Sequence, residues 1–154
     1  MTILEGHSSK TVDLTAGIVS LLVQHGIGRW SETGALPEGD TPAIALGDIG
    51  THPIRALGLN LYTVKTDQEP GVDKMGVVFR IRTPETNPLE AVKLADKLED
   101  VFHGREHNFF KKWHIPGMWR HSLADLGPNE NDHYQLTDTY HFYVDIYREE
   151  ADNG

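Results

Sequence analysis

Between Thr11 and His25 the apolar residues recur at helical spacing, with Leu14, Ile18, Leu21, Leu22 and His25 on one side. Gly26 follows as a stop signal, so the pattern predicts an amphipathic helix. Residues 26–42 collect Gly, Pro, Ser, Thr and acidic side chains around Trp30 and read as a long connection into a short strand over 43–49. The period then becomes two. From Ile54 to Val64, Leu57, Leu59 and Leu61 alternate with Ala56, Gly58, Asn60 and Tyr62. From Met75 to Thr83, Val77, Phe79 and Ile81 alternate with Val78, Arg80 and Arg82. Two half-buried strands paired as an antiparallel hairpin are expected, joined by an acidic loop over 66–75 that is expected, like the chain termini, to be mobile.

Residues 84–104 carry a full set of helix signals: Asn87 as N-cap, Pro88 in the first turn, Glu90 three residues after the cap, and Gly104 as terminator. Ala91, Leu94, Ala95, Leu98, Val101 and Phe102 form the apolar stripe of this second helix. Residues 105–117 are aromatic and basic without a clean period. Residues 118–127 alternate again, with Met118, Arg120, Ser122 and Ala124 against Trp119, His121 and Leu123. After the turn chemistry of 128–133 comes a last strand, in which Leu136, Tyr140, Phe142, Val144 and Ile146 make an apolar face broken only by Asp138. His141, Tyr143, Asp145 and Tyr147 fall on its other face. The order of elements predicts one α+β domain over residues 1–154: a mainly antiparallel, possibly mixed, sheet of about five strands with two helices on one face.

Composition narrows the function classes. The 154 residues are 38% hydrophobic and 24% charged, a globular balance, and no apolar run reaches the roughly 20 residues that span a bilayer. The first ten residues lack a basic start followed by an apolar block, so no secretory signal is expected. Zero cysteines exclude disulfides and thiolate metal sites. A net charge of −9 argues against a protein that works by gripping nucleic-acid phosphates.

Candidate chemistry is sparse. The string His103–Gly104–Arg105–Glu106–His107 matches the HxxEH pattern of inverted zinc peptidases, which needs both imidazoles on one continuous helix. Gly104 sits where the apolar stripe ends and favours a break there, so the plainer reading is a helix terminus. His141 and Asp145 share a face but lie roughly 13 Å apart along a strand, too far for one metal ion. No Gly-rich phosphate loop, nucleophile elbow or cysteine nucleophile is present. What a plain monomer does not need is the face opposite the helices, where Tyr62, Arg80, Arg82, Tyr143 and Tyr147 are expected. Trp119 and Arg120 lie in the neighbouring aromatic-basic segment. Residues of these types are enriched at protein interfaces, so these seven are the candidate subunit contacts.

The run from Leu21–Trp30 through the two alternating strands, the Val78–Phe79–Arg80–Ile81–Arg82 strand leading into a Pro-capped helix that ends Phe102–His103–Gly104, and a closing strand ending Tyr147–Arg148 resembles the minor capsid, or tail terminator, proteins of long-tailed bacteriophages. The resemblance implies a non-enzymatic virion protein without cofactors or membrane contacts, assembled in the host cytoplasm and placed at the head–tail junction. It implies a homo-oligomer, commonly a hexameric ring. Such a ring ends polymerisation of the tail tube protein, meets a head-completion or connector protein, and lets DNA pass its channel without specific binding. Gln68, Glu69 and Asp73 in the hairpin loop, with Asn129, Glu130 and Asp132 in the last turn, are then candidates for reaching adjacent rings. The alternatives are a head-completion adaptor or tail-tube subunit, and a small metal-dependent or acid/base hydrolase using His103, Glu106, His107 and His141.

Overall fold

The computed structural model describes residues 9–34 and 36–146. Helix α1 runs Lys10–Gln24, and its N-cap Ser9 accepts a hydrogen bond from the Val12 N–H. It buries Leu14, Ile18, Val19, Leu21 and Leu22, whereas His25 caps its end and is exposed rather than on the buried stripe. Strands β1 (Ala43–Leu46), β2 (Ala56–Glu69) and β3 (Val72–Thr83) follow. Helix α2 (Leu89–Phe102) comes next, then β4 (Glu106–Phe110), β5 (Trp113–Pro128) and β6 (Tyr134–Ile146). The six strands form one mixed, mostly antiparallel sheet in the order β1-β2-β3-β6-β5-β4. The α+β architecture is as expected from the sequence, with one strand more than the five foreseen.

Alternation gives the sheet two chemically distinct faces. Leu57, Leu59, Val77, Phe79, Ile81, Leu136, Tyr140, Phe142 and Val144 all point to the face covered by α1 and α2. Phe79, Phe102 and Tyr140 form the centre of this core, with ring centroids 5.3–6.0 Å apart. Each such aromatic pair contributes about 0.5–1.5 kcal/mol beyond its burial. At the start of α2 the Asn87 side-chain Oδ1 accepts the Leu89 N–H, although Pro88 and not Asn87 occupies the cap position. At its end His103 is extended and Gly104 takes φ 77°, which only a residue without Cβ adopts at little cost.

Two segments differ from the sequence reading. The acidic stretch over 66–75 is not a loop: β2 and β3 continue as a paired ribbon to Glu69 and Val72, with register shifts on either side of Lys65. These irregularities hide the strand period, which is why turn-forming residues dominate the sequence signal. Residues 105–117 contain β4 and the start of β5, an antiparallel pair running Glu106↔Gly117 to Phe110↔Trp113. The five residues of β4, with positive φ at His107 inside the strand and at Lys111 just after it, leave no readable period.

β1 and β2 are parallel neighbours, with Ala43 opposite Ala56 and Leu46 opposite Leu59. Their link, residues 47–55, contains no helix and is shorter than the dozen or so residues of an ordinary crossover. It lies against the sheet face away from the helices. A Cβ at Gly58 would stand 2.5 Å from Ile49 Cγ2, so Gly58 is the seat that lets the link descend. On its free side β1 is met by Arg29, which bridges Ala43. At the opposite end of the sheet β4 accompanies β5 only as far as Gly117, and His121–Leu126 are exposed, with β6 on one side and no strand along their outer edge among the described residues.

Candidate functional site

The uncovered half of the outer face carries a row of aligned residues: Tyr62 on β2, Gly76 on β3, His141 on β6 and Trp119 on β5. Gly76 is the gap that makes the row possible, because a Cβ there would lie 2.4 Å from the Tyr62 ring. With that space free, Tyr62 lies across β3 and its hydroxyl reaches His141 Nε2 at 3.2 Å. His121 stacks on His141 with ring centroids 3.8 Å apart and planes 10° from parallel. One step along the strands, Trp119 packs on Tyr143 at 5.6 Å, and Lys74 Nζ sits 5.8 Å from the Trp119 ring centre and 6.0 Å from that of Tyr143. A cation so placed is attracted by the ring faces.

Electrostatics favour the uncharged forms of His141 and Tyr62. Burial holds the His141 pKa below its ordinary value, and the His121 and Lys74 charges push in the same direction. Burial raises the Tyr62 pKa. The patch is therefore broad, aromatic and neutral at its centre, with Tyr62 and Tyr143 exposed and Trp119 half-buried.

Of the seven contact candidates, Tyr62, Trp119 and Tyr143 come together here. Arg80 is exposed on the same face but four residues along β3, beside a shallow cleft lined by Asp48, Gly58 and Asn60. Tyr147 lies outside the described residues. Arg82 and Arg120 do not project outward, which corrects the sequence expectation. Arg82 has the outward phase but is covered by the 47–55 link and is 5% exposed. Its Nε donates to Ile54 O at 2.9 Å, its Nη1 to Gly50 O at 2.6 Å, and its Nη2 to Pro53 O at 2.8 Å.

Arg120 lies opposite Tyr140 on the helix side. It makes a two-pronged contact with Asp138, Nε to Oδ1 at 2.9 Å and Nη2 to Oδ2 at 3.0 Å. It also donates to Glu99 Oε2 at 2.8 Å and to Ala95 O at 3.1 Å, so it clamps α2 onto the sheet. Asp138, the polar interruption of the β6 apolar face, is the fully buried anchor of this clamp and also accepts the Tyr140 hydroxyl at 3.0 Å. Burial opposes the charge on both partners. In Arg120 the hydrogen bonds and charge of Asp138 outweigh it and the pKa is raised. In Asp138 burial wins, and its pKa is raised despite Arg120.

The six loop candidates separate as well. Gln68 and Glu69 end β2, and their side chains lie outside the described set. Asp73 is a strand residue whose carboxylate pairs with Lys10 of α1. Asn129 shapes the β5–β6 turn, its Oδ1 accepting the Asn131 N–H at 2.9 Å and the His133 N–H at 3.0 Å, while Glu130 and Asp132 are exposed in that turn.

The HxxEH string does not form a helical ligand set. His103 ends α2 and its Nδ1 accepts the Arg120 N–H at 2.9 Å, whereas Glu106 and His107 belong to β4. Among the described residues no group of three or more His, Asp or Glu is placed to hold a metal ion. A different string escaped the sequence reading: His107 Nδ1 meets His114 Nε2 at 3.3 Å, and His114 Nδ1 meets Asp145 Oδ1 at 3.1 Å. It ties β4, β5 and β6 together. The register of β4 was its only signal, and that register was unreadable.

No protein-family model matches the chain, and no curated protein sequence does. Its fold does have a counterpart among solved structures. A chain from the structure described as "Virion of native gene transfer agent (GTA) particle" superposes with a TM-score of 0.57 at 14% sequence identity, covering 86% of this chain and 89% of that one.

Proposed function

We propose that this chain is a structural subunit of a phage-like virion, and that it acts as a tail terminator. In this reading its copies close into a ring, commonly of six, that ends the growth of the tail tube and offers the opposite rim to a head-completion protein. What carries the reading is the pairing of a virion-type fold with an outer sheet face left bare over Tyr62, Trp119 and Tyr143. A broad neutral aromatic patch of this kind suits contact with another protein surface, because Tyr and Trp bury large areas at small conformational cost. Closed rotational assembly needs such a surface on every copy. The acidic composition, 23 Asp and Glu against 14 Lys and Arg, supports a channel that DNA traverses without sticking, since a net negative chain repels the phosphates.

Negative-stain electron microscopy of the purified protein tests the proposal. Closed rings of limited thickness are expected. Long tubes would assign the chain to the tube itself, and monomers at all concentrations would remove the assembly reading. Rings that bind a connector but do not cap tubes would make it a head-completion adaptor.

A further inference from the structure

At the end of the sheet remote from the aromatic patch, three segments enclose a cleft of about 490 Å³: Thr51 and His52 of the 47–55 link, Arg82 at the end of β3, and Asn129, Asn131 and His133 of the β5–β6 turn. Every lining side chain offers hydrogen-bond donors and none is a carboxylate, in a chain whose net charge is −9. The central group is Arg82. Its three carbonyl partners use one N–H each from Nε, Nη1 and Nη2, which leaves one N–H on each Nη with no partner among the described residues. No carboxylate forms an ion pair with it among the described residues. Asn129 is oriented likewise: its oxygen is occupied by two backbone N–H groups, so its amide nitrogen remains to donate.

We propose that this cleft binds an oxyanion, a phosphate or carboxylate group, held by the two free Nη protons of Arg82 and by the side-chain amides of Asn129 and Asn131. A buried guanidinium is stable when its charge is answered, and carbonyl dipoles answer it only in part. Burial indeed pushes Arg82 below the ordinary arginine value, and the charges of Glu38 and Asp48 offset this incompletely. Neither carboxylate lines the cleft. Glu38 accepts the Ile54 N–H and lies 3.8 Å from His52 Nδ1 at the outer rim. Glu130 and Asp132 of the turn are exposed. His52 and His133 add ring N–H groups to the walls. A guanidinium with two N–H groups unspent can donate to the oxygens of an anion, the chemistry that carboxylate and phosphate share.

The site does not depend on ring formation, so it is tested on the purified protein in chloride buffer at constant ionic strength. Inorganic phosphate and acetate are titrated separately while side-chain amide resonances and the thermal midpoint are followed. At least one anion is expected to shift the Asn129 and Asn131 side-chain signals saturably and to raise the midpoint, as a ligand of the folded state must. Saturation by phosphate alone identifies a free or esterified phosphate as the ligand. Saturation by acetate identifies a carboxylate, such as one presented by an abutting chain.

Asn131→Asp puts a negative charge on the cleft wall while keeping the backbone N–H that holds the turn, and it should weaken binding about tenfold or more. Two results overturn the proposal. One is a wild-type response to both anions no different from that to chloride. The other is an equal response in the Asn131→Asp variant. The wild-type titration decides even if the variant fails to fold.

Discussion

β5 and β6 carry polar groups on both faces, and the two faces treat them in opposite ways. On the helix side Arg120, Asp138 and Glu99 form a closed ionic clamp in which each charge is answered inside the protomer. On the outer side Tyr62 reaches His141, His121 stacks on His141, and Trp119 packs on Tyr143, with Tyr62 and Tyr143 exposed. The clamp holds the fold together. The stacked rings are ordered yet unfinished, and an unfinished surface is where binding energy remains to be gained.

The difference can be broken most severely at Asp138. Asp138→Ala removes the buried carboxylate from Arg120, leaving it Glu99 and the Ala95 carbonyl, and takes away the acceptor of the Tyr140 hydroxyl, so denaturant unfolding should show a loss of about 3–5 kcal/mol. Changing both partners, as in Arg120→Met with Asp138→Leu, should recover most of that loss. A double variant as weak as the single one would mean that the clamp stabilises by more than mutual charge satisfaction.

Trp119→Ala should behave in the reverse manner. As a half-exposed ring it should cost the protomer only about 1–2 kcal/mol in the same unfolding assay, while shifting the midpoint of assembly, followed by light scattering, to at least about tenfold higher concentration. If unfolding and assembly suffer equally, the two faces are not functionally distinct.

Acid separates the faces by sign. His141 has a folded pKa below its ordinary value of 6.5, so the unfolded chain binds more protons. Its contribution is whole above that value and is lost as the pH falls from there toward the folded pKa. Asp138 has a raised pKa, so at that residue the folded chain binds more protons and acidification favours the fold. Between pH 7.5 and pH 5 the change in thermal midpoint should therefore be more negative in the wild type than in His141→Phe.

The smallest effect is expected at the far end of the β2–β3 ribbon. Asp73→Asn removes the partly exposed ion pair with Lys10 and should change stability by no more than about 1 kcal/mol, which calibrates the Asp138 result against an ordinary surface pair.

Strand period made much of this arrangement legible. Alternation alone assigns Tyr62, His141 and Tyr143 to one face and Val77, Phe79, Tyr140 and Phe142 to the other, because side-chain direction follows from position along a strand. It does not reveal what lies over a face. Arg82 is out of the solvent because a helix-free link crosses above it, and no periodicity in β3 records that. Asp138 read as a flaw in an apolar row because its partner comes from another strand. β4 went unread because backbone turns at His107 and Lys111 break any short-range pattern.

The two rims of the sheet are also unequal. Arg29 blunts the start of β1, whereas the outer edge of β5 offers bare backbone from His121 to Leu126, with Leu123 and Leu126 47% and 54% exposed beside it. Strand addition to this domain consequently has a handed character: a visiting segment can lengthen the sheet past β5, but finds the way past β1 already barred.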